Sequence, residues 1–263
     1  MIRLARALVA TLLLGIGIVQ AGQNCEEKPI TLDAASKAFS LASKLRDRLE
    51  ASNDEVVILG RIGRDMSRYG LRYSHAGYAW RDHPKGRWLV RHALNRCGTA
   101  ESDIYDEGLA NFFMDDPLYY EVLVLRLKPE LQSRLALALK QPLRLHEPRY
   151  NLVAYPFSSQ YQNSNQWLLE TLASAEMPGD PGSPLGREQA QRWLRQNGYL
   201  PSTLYIPTLT RLGGRITRAN IAFDDHPFGR RMAGQIDVAT VESIAAYIDK
   251  QGELIKQEVL TLP

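Results

Sequence analysis

Acyl-transfer chemistry needs a nucleophile, a base within hydrogen-bond reach and a third group that orients the base. Two segments of this chain supply those residue types. In Ser74-His75-Ala76-Gly77 a histidine stands beside small residues that leave room for a substrate. In Tyr161–Trp167 the sequence Asn163-Ser164-Asn165-Gln166 opens an apolar helical pattern. Asn163 and Ser164 are both favoured N-cap types, so Ser164 reads as a nucleophile at a helix N-terminus. The positive end of the helix dipole there favours a developing alkoxide or oxyanion. Backbone N–H groups, with the amides of Gln160 or Asn165, are the candidates for an oxyanion hole, and Asn163 belongs to the same cleft. His92 lies on the next strand, where it can neighbour His75 and fix its tautomer. Asn95 is the second choice for that role.

Each residue also has a plainer role. Ser164 can be a helix cap alone, His75 a hydrogen-bonded core histidine, His92 a satisfied strand residue, and Asn163–Gln166 turn chemistry. Asp224-Asp225-His226-Pro227 reads first as a strand-terminating turn, and second as a stretch in which Asp225 or His226 lines the cleft. Ligands at adjacent positions rarely point at one ion, and no second cluster accompanies them. No metal and no cofactor is therefore expected. Gly60-Arg61-Ile62-Gly63-Arg64 lacks the Gly-Lys-Ser/Thr ending of a phosphate loop.

The elements that must position these side chains follow from periodicity. Apolar residues at helical spacing predict helices over Thr31–Ala51, Glu107–Met114, Pro129–Leu139, Gln166–Ala175, Arg187–Asn197 and Val238–Lys250. Strands are predicted over Glu55–Gly60, Tyr73–Trp80, Arg87–Leu94, Tyr120–Leu127, Arg149–Ala154 and Leu254–Leu260. Leu204–Leu212 and Arg215–Phe223 read as a hairpin about Gly213-Gly214. The Tyr73–Trp80 and Arg87–Leu94 strands are joined by a turn too short for a parallel crossover, so they pair antiparallel. The result is an α+β domain with an antiparallel central sheet flanked by helices.

Arg3 and Arg6 precede an apolar run from Ala7 to Val19, and the chain then reads Gln20-Ala21. This pattern predicts a secretory signal peptide over residues 1–21, cleaved after Ala21, and a single domain over 22–263. The apolar run is shorter than the roughly twenty residues that span a bilayer, so no membrane span is expected after cleavage. The formal charge of +3 becomes +1 without Arg3 and Arg6, and no Lys/Arg run supports a nucleic-acid partner. In an exported, periplasmic or secreted chain, Cys25 and Cys97 form most simply one disulfide. Closing that loop would stabilise the fold by about 4 kcal/mol in the chain-entropy model. Free thiols remain the alternative.

A buried strand, Ser-His-Ala-Gly on a second strand, a third strand with a polar centre and a nucleophile at a later helix resemble the circularly permuted branch of the papain-like, NlpC-type superfamily. Tyr73–Trp80, Tyr150–Trp167 and Asn220–Pro227 also resemble a bacterial exported family, domain of unknown function 2145. The superfamily resemblance implies a permuted papain-like fold and an amidohydrolase or acyltransferase site, with His75, His92 and position 164 in the order histidine, polar residue, nucleophile. It further implies a cell-envelope peptide or acyl substrate. The superfamily places cysteine where this chain has Ser164. An alcohol is far less acidic than a thiol and needs general-base help during attack. The two functions that follow are a Ser–His amide or ester hydrolase, and a non-catalytic envelope-binding module that keeps the cleft.

Overall fold

A computed structural model describes residues 29–114, 117–179 and 186–262. The expected signal peptide and Cys25 lie outside these residues. Thr31 caps the first helix, α1 (Leu32–Glu50), by accepting the Ala34 N–H, and Asp33 adds negative charge to the first turn. Ala38, Leu41, Leu45 and Leu49 form its buried face.

There follow β1 (Val56–Ile62), β2 (His75–His83), β3 (Gly86–Asn95), β4 (Ser102–Glu107), α2 (Leu109–Met114), β5 (Tyr119–Leu127) and α3 (Pro129–Ala138). The second half holds α4 (Ser164–Glu176), α5 (Arg187–Gln196), β6 (Ser202–Tyr205), α6 (Thr208–Thr217), α7 (Phe228–Met232), β7 (Gln235–Val238), α8 (Val241–Lys250) and β8 (Leu254–Thr261).

Six strands form one sheet in the order β4-β3-β2-β1-β5-β8, with every neighbouring pair antiparallel. The protein is thus a mixed α+β fold around an antiparallel sheet. Helices cover both faces. On one, Val57, Leu59, Val90 and Val124 meet α1 and Phe112 of α2. On the other, Ile58, Tyr78, Trp80 and Leu125 meet Leu135 of α3, Trp167 and Leu172 of α4, and Ile244 of α8. Burial from both sides explains why β1 is a continuous apolar run and not an alternating one.

Two local expectations give way and one strand goes unpredicted. Ser102–Glu107 is the edge strand β4, overlooked because its polar residues suit an exposed edge better than an apolar pattern. Arg149–Ala154 is irregular, with Tyr150 bridged to Gln162. The hairpin at Gly213-Gly214 is absent: that stretch is α6, and β6 pairs with β7 in the register Leu204↔Ile236. The glycine pair costs helix propensity of about 1 kcal/mol per residue. Arg211 offsets part of that cost, since its guanidinium donates to Ile206 O and Thr208 Oγ1 around the first turn.

At Gly77, β2 and β3 approach too closely for a side chain. A Cβ there would lie 2.6 Å from Val90 Cγ1 and 3.1 Å from His92 Cβ. Replacing Gly77 by Ala should therefore cost about 1–3 kcal/mol through overpacking of a stiff β-branched neighbour. Urea unfolding checks this, and an unchanged midpoint would refute the close approach.

Candidate active site

The β2–β3 register runs only as far as Tyr78↔Arg91, whereas β1 stays paired to β2 down to Arg61↔His75. The Ala76 N–H, beyond the end of the β3 pairing, donates to Asn165 Oδ1 at 3.1 Å, and Asn165 Nδ2 donates to Ala239 O at 3.4 Å. This amide pins the first turn of α4 to the start of β2. The Asn165 side chain thus acts as a strut, with both ends of its amide engaged, while its backbone N–H stays at the open end of α4.

The expected histidine pair is present. His75 Nε2 and His92 Nδ1 are 2.8 Å apart across β2 and β3, and both rings pack against Phe112. Glu107 Oε2 lies 3.2 Å from His92 Nε2, an ion-pair distance without hydrogen-bond alignment. A carboxylate at that position favours the Nε2–H tautomer of His92, which leaves its Nδ1 as an acceptor. His75 Nε2 then carries the donated hydrogen, and its Nδ1 carries the lone pair. Burial pushes the His75 pKa well below 6.5, with the charges of Arg61 and His92 adding to the effect. His75 is therefore a neutral imidazole at neutral pH.

Ser164, Asn163 and His75 line one cleft of about 1070 Å³. Asn163 is the true N-cap: its Oδ1 accepts the Gln166 N–H at 2.8 Å. Ser164 is thus released from capping and occupies the first helical position. Its backbone N–H and that of Asn165 have no acceptor among the described residues. Ser164 has Tyr150 as a neighbour. Burial raises the Tyr150 pKa, and a hydrogen bond with Ser164 and the charge of Arg64 oppose that rise. No hydrogen bond joins Ser164 to His75 among the described residues.

The remaining candidates stand elsewhere. Gln160 Nε2 donates to Asp224 Oδ2 at 2.9 Å, away from the cleft wall. Asp225 Oδ2 accepts the Tyr155 N–H, and His226 Nε2 donates to Val153 O, so both fasten the 153–155 backbone and neither lines the cleft. Asn95 lines the cleft but binds Thr99 O, Glu101 O and Asn220. Cys97 also lines it; its expected partner Cys25 lies outside the described residues. Among the described residues no three His, Cys, Asp or Glu side chains gather as a metal site, and no helix is long and apolar enough to cross a membrane.

The uncharacterized family conserved in bacteria, domain of unknown function 2145, matches residues 48–248. The chain belongs to this family. No curated protein and no solved structure matches it. The family span contains His75, His92, Glu107, Tyr150 and Ser164, and ends inside α8.

A network overlooked in the sequence holds the segment before Ser164. The fully buried Glu170 accepts from Gln162 Nε2, Gln191 Nε2 and Arg187 Nε at 2.6, 2.7 and 2.8 Å. Arg187 in turn donates to Ser159 O and Tyr161 O. Spacing gave no sign of it, because the partners of Glu170 come from the segment before α4 and from α5. Tyr150, Arg61 and Glu107 were missed for the same reason. Removing one member of a buried ion pair leaves the other uncompensated, so Arg187→Met should destabilise the protein by about 3–5 kcal/mol. Arg192→Met, at an exposed pair 3.9 Å from Glu188, should cost no more than about 1 kcal/mol. Equal losses for the two variants, measured by urea unfolding, would remove the network from the account.

Proposed function

We propose that this protein hydrolyses an amide or ester bond with Ser164 as nucleophile, His75 as general base and His92 as the residue that orients the base. The observation that carries the reading is the 2.8 Å His75 Nε2–His92 Nδ1 contact backed by Glu107. It leaves the lone pair of His75 on Nδ1, in the histidine that shares a cleft with Ser164. A permuted papain-like ancestry, an envelope peptide or acyl substrate and a periplasmic setting belong to the same proposal.

In this mechanism Ser164 Oγ attacks the carbonyl carbon while His75 Nδ1 takes its proton. The oxyanion is stabilised by the Ser164 and Asn165 N–H groups at the helix N-terminus. Collapse of the tetrahedral adduct expels the amine or alcohol, which leaves with the proton from His75. Water then attacks the acyl-Ser164 ester, gives its proton to His75, and the second collapse returns that proton to Ser164. The Ser164–His75 hydrogen bond that this mechanism needs would form on substrate binding, as catalytic hydrogen bonds often tighten only then.

A second reading is a binding module that has lost catalysis. The partnership of Ser164 with Tyr150 in place of His75 favours it. A fluorophosphonate probe separates the two: labelling of the native protein, abolished in Ser164→Ala, supports the hydrolase. Native protein that stays unlabelled and cleaves none of a panel of p-nitrophenyl esters supports the binding module. For an ester that is cleaved, Ser164→Ala should lower kcat by about a thousandfold or more.

The pH profile gives a second test. The folded pKa of His75 is depressed below 6.5, so the neutral base persists as pH falls through 6.5. The profile of kcat/KM should stay flat through pH 6.5 and decline only below it. An acid limb centred at or above 6.5 would assign the base to another group.

A further inference from the structure

Among the described residues, the cleft wall carries Arg64, Arg68 and Arg218 against one carboxylate, Asp65. Asp65 is turned to its own loop, where Oδ1 accepts the Ser67 N–H at 2.9 Å. Arg72, Arg91 and Arg126, by contrast, each meet a carboxylate. Arg64, Arg68 and Arg218 form no ion pair with any described carboxylate. Arg68 lies over the Tyr69 ring, 4.5 Å from its centroid, with Asp65 near enough to feel its charge though not ion-paired to it, and Arg64 is near enough to Tyr150, the neighbour of Ser164, to act on its charge. Unmatched guanidinium groups around a concave surface focus positive potential into it and recognise planar or tetrahedral anions.

Another part of the wall is apolar. Val153, Leu204, Ile206, Phe223 and Val238 line the cleft and belong to a hydrophobic cluster separate from both sheet cores. A wall that joins a hydrocarbon surface to unpaired cations matches a ligand built the same way.

We propose that the cleft takes an anionic amphiphile: an acyl compound with an aliphatic stem along Leu204, Ile206 and Phe223 and a carboxylate or phosphate held by Arg64, Arg68 and Arg218. The proposal rests on the reading of this cleft as the substrate site, and it names the class of that substrate. It requires no turnover, so it is tested on Ser164→Ala protein, which lacks the nucleophile. Failure of the catalytic reading appears separately, in the fluorophosphonate labelling of the native chain.

The experiment is calorimetric titration of Ser164→Ala protein with octanoate, octyl phosphate, octyl glucoside and octyltrimethylammonium, all below their micelle concentrations. The expected result is that an anionic probe binds at least about tenfold more tightly than the neutral and cationic ones, and that salt weakens the anion alone. Tighter octanoate points to a carboxylate ligand, and tighter octyl phosphate to a phosphorylated one. Acetate and inorganic phosphate, without the stem, should bind more weakly than their octyl counterparts. Adding Arg64→Gln and Arg218→Gln should weaken the anion by about tenfold with an unchanged thermal midpoint, while Arg192→Gln leaves it unaltered. Equal affinity for all four head groups, no binding of either anion, or full affinity in the arginine variants would overturn the proposal.

Discussion

The backbone N–H of Ala76 is the constraint on which the site is built. It belongs to a strand buried on both faces, at a point where the pairing with β3 has ended. A buried N–H without a partner costs about 1–3 kcal/mol, so something must accept it. Asn165 does so, and with its other end holds Ala239 ahead of α8. One side chain therefore closes the gap left by the diverging strands and fixes the first turn of α4 against the first residues of β2. Ser164 and His75 line the same cleft because each is the first residue of its element.

This arrangement carries a geometric tension. The body of α4 packs on the face that contains Tyr78 and Trp80, whereas His75 turns to the opposite face, towards His92 and Phe112. Both groups reach the cleft at the end of the sheet and not through it. Such a junction needs a firm mount on both sides. On one side Gly77 lets β2 and β3 approach closely enough for the imidazoles to touch. On the other, Glu170 gathers Arg187, Gln162 and Gln191 around the backbone that leads to Ser164. The buried carboxylate is satisfied by donors from the residues it must hold, which makes the network a positioning device as well as a stabilising one.

What was legible in the sequence was the part set by short-range pattern. The apolar run at Val56–Leu59, the alternation through Tyr78 and Trp80, and the helical spacing over Thr31–Ala51 each encode their element locally. The pairing of His75 with His92 was legible because the intervening turn is short and antiparallel geometry follows from it. The misreadings share one cause, namely that the decisive partner was remote. Leu204 pairs with Ile236 and not with the residues beyond Gly213-Gly214. Ser102–Glu107 is the exception: its partners Asn95 and His92 in β3 are near in sequence, and its polar residues hid the strand. Asp225 and His226 resembled site residues by type, yet their partners are the backbone groups of Tyr155 and Val153. The spacing predicts a helix starting at Glu107, which hides its place beside His92.

The electrostatics bear on why an alcohol stands at position 164. A thiol nucleophile works as a thiolate beside a protonated imidazole, so its site must favour the histidine cation. Here burial, the Arg61 guanidinium and the second imidazole all disfavour that cation at His75. The environment selects the neutral ring, which is the form an alcohol requires from its base during attack. Glu107 does not reverse this, because it acts through His92 and sets a tautomer more than it adds charge at His75. In the proposed mechanism imidazolium forms only transiently, as the oxyanion forms at the helix N-terminus, and the two charges offset each other across the cleft. A thiolate–imidazolium pair at rest would have to overcome the same terms without that compensation. In the proposed mechanism the alcohol at position 164 and the depressed basicity of His75 are then two aspects of one design.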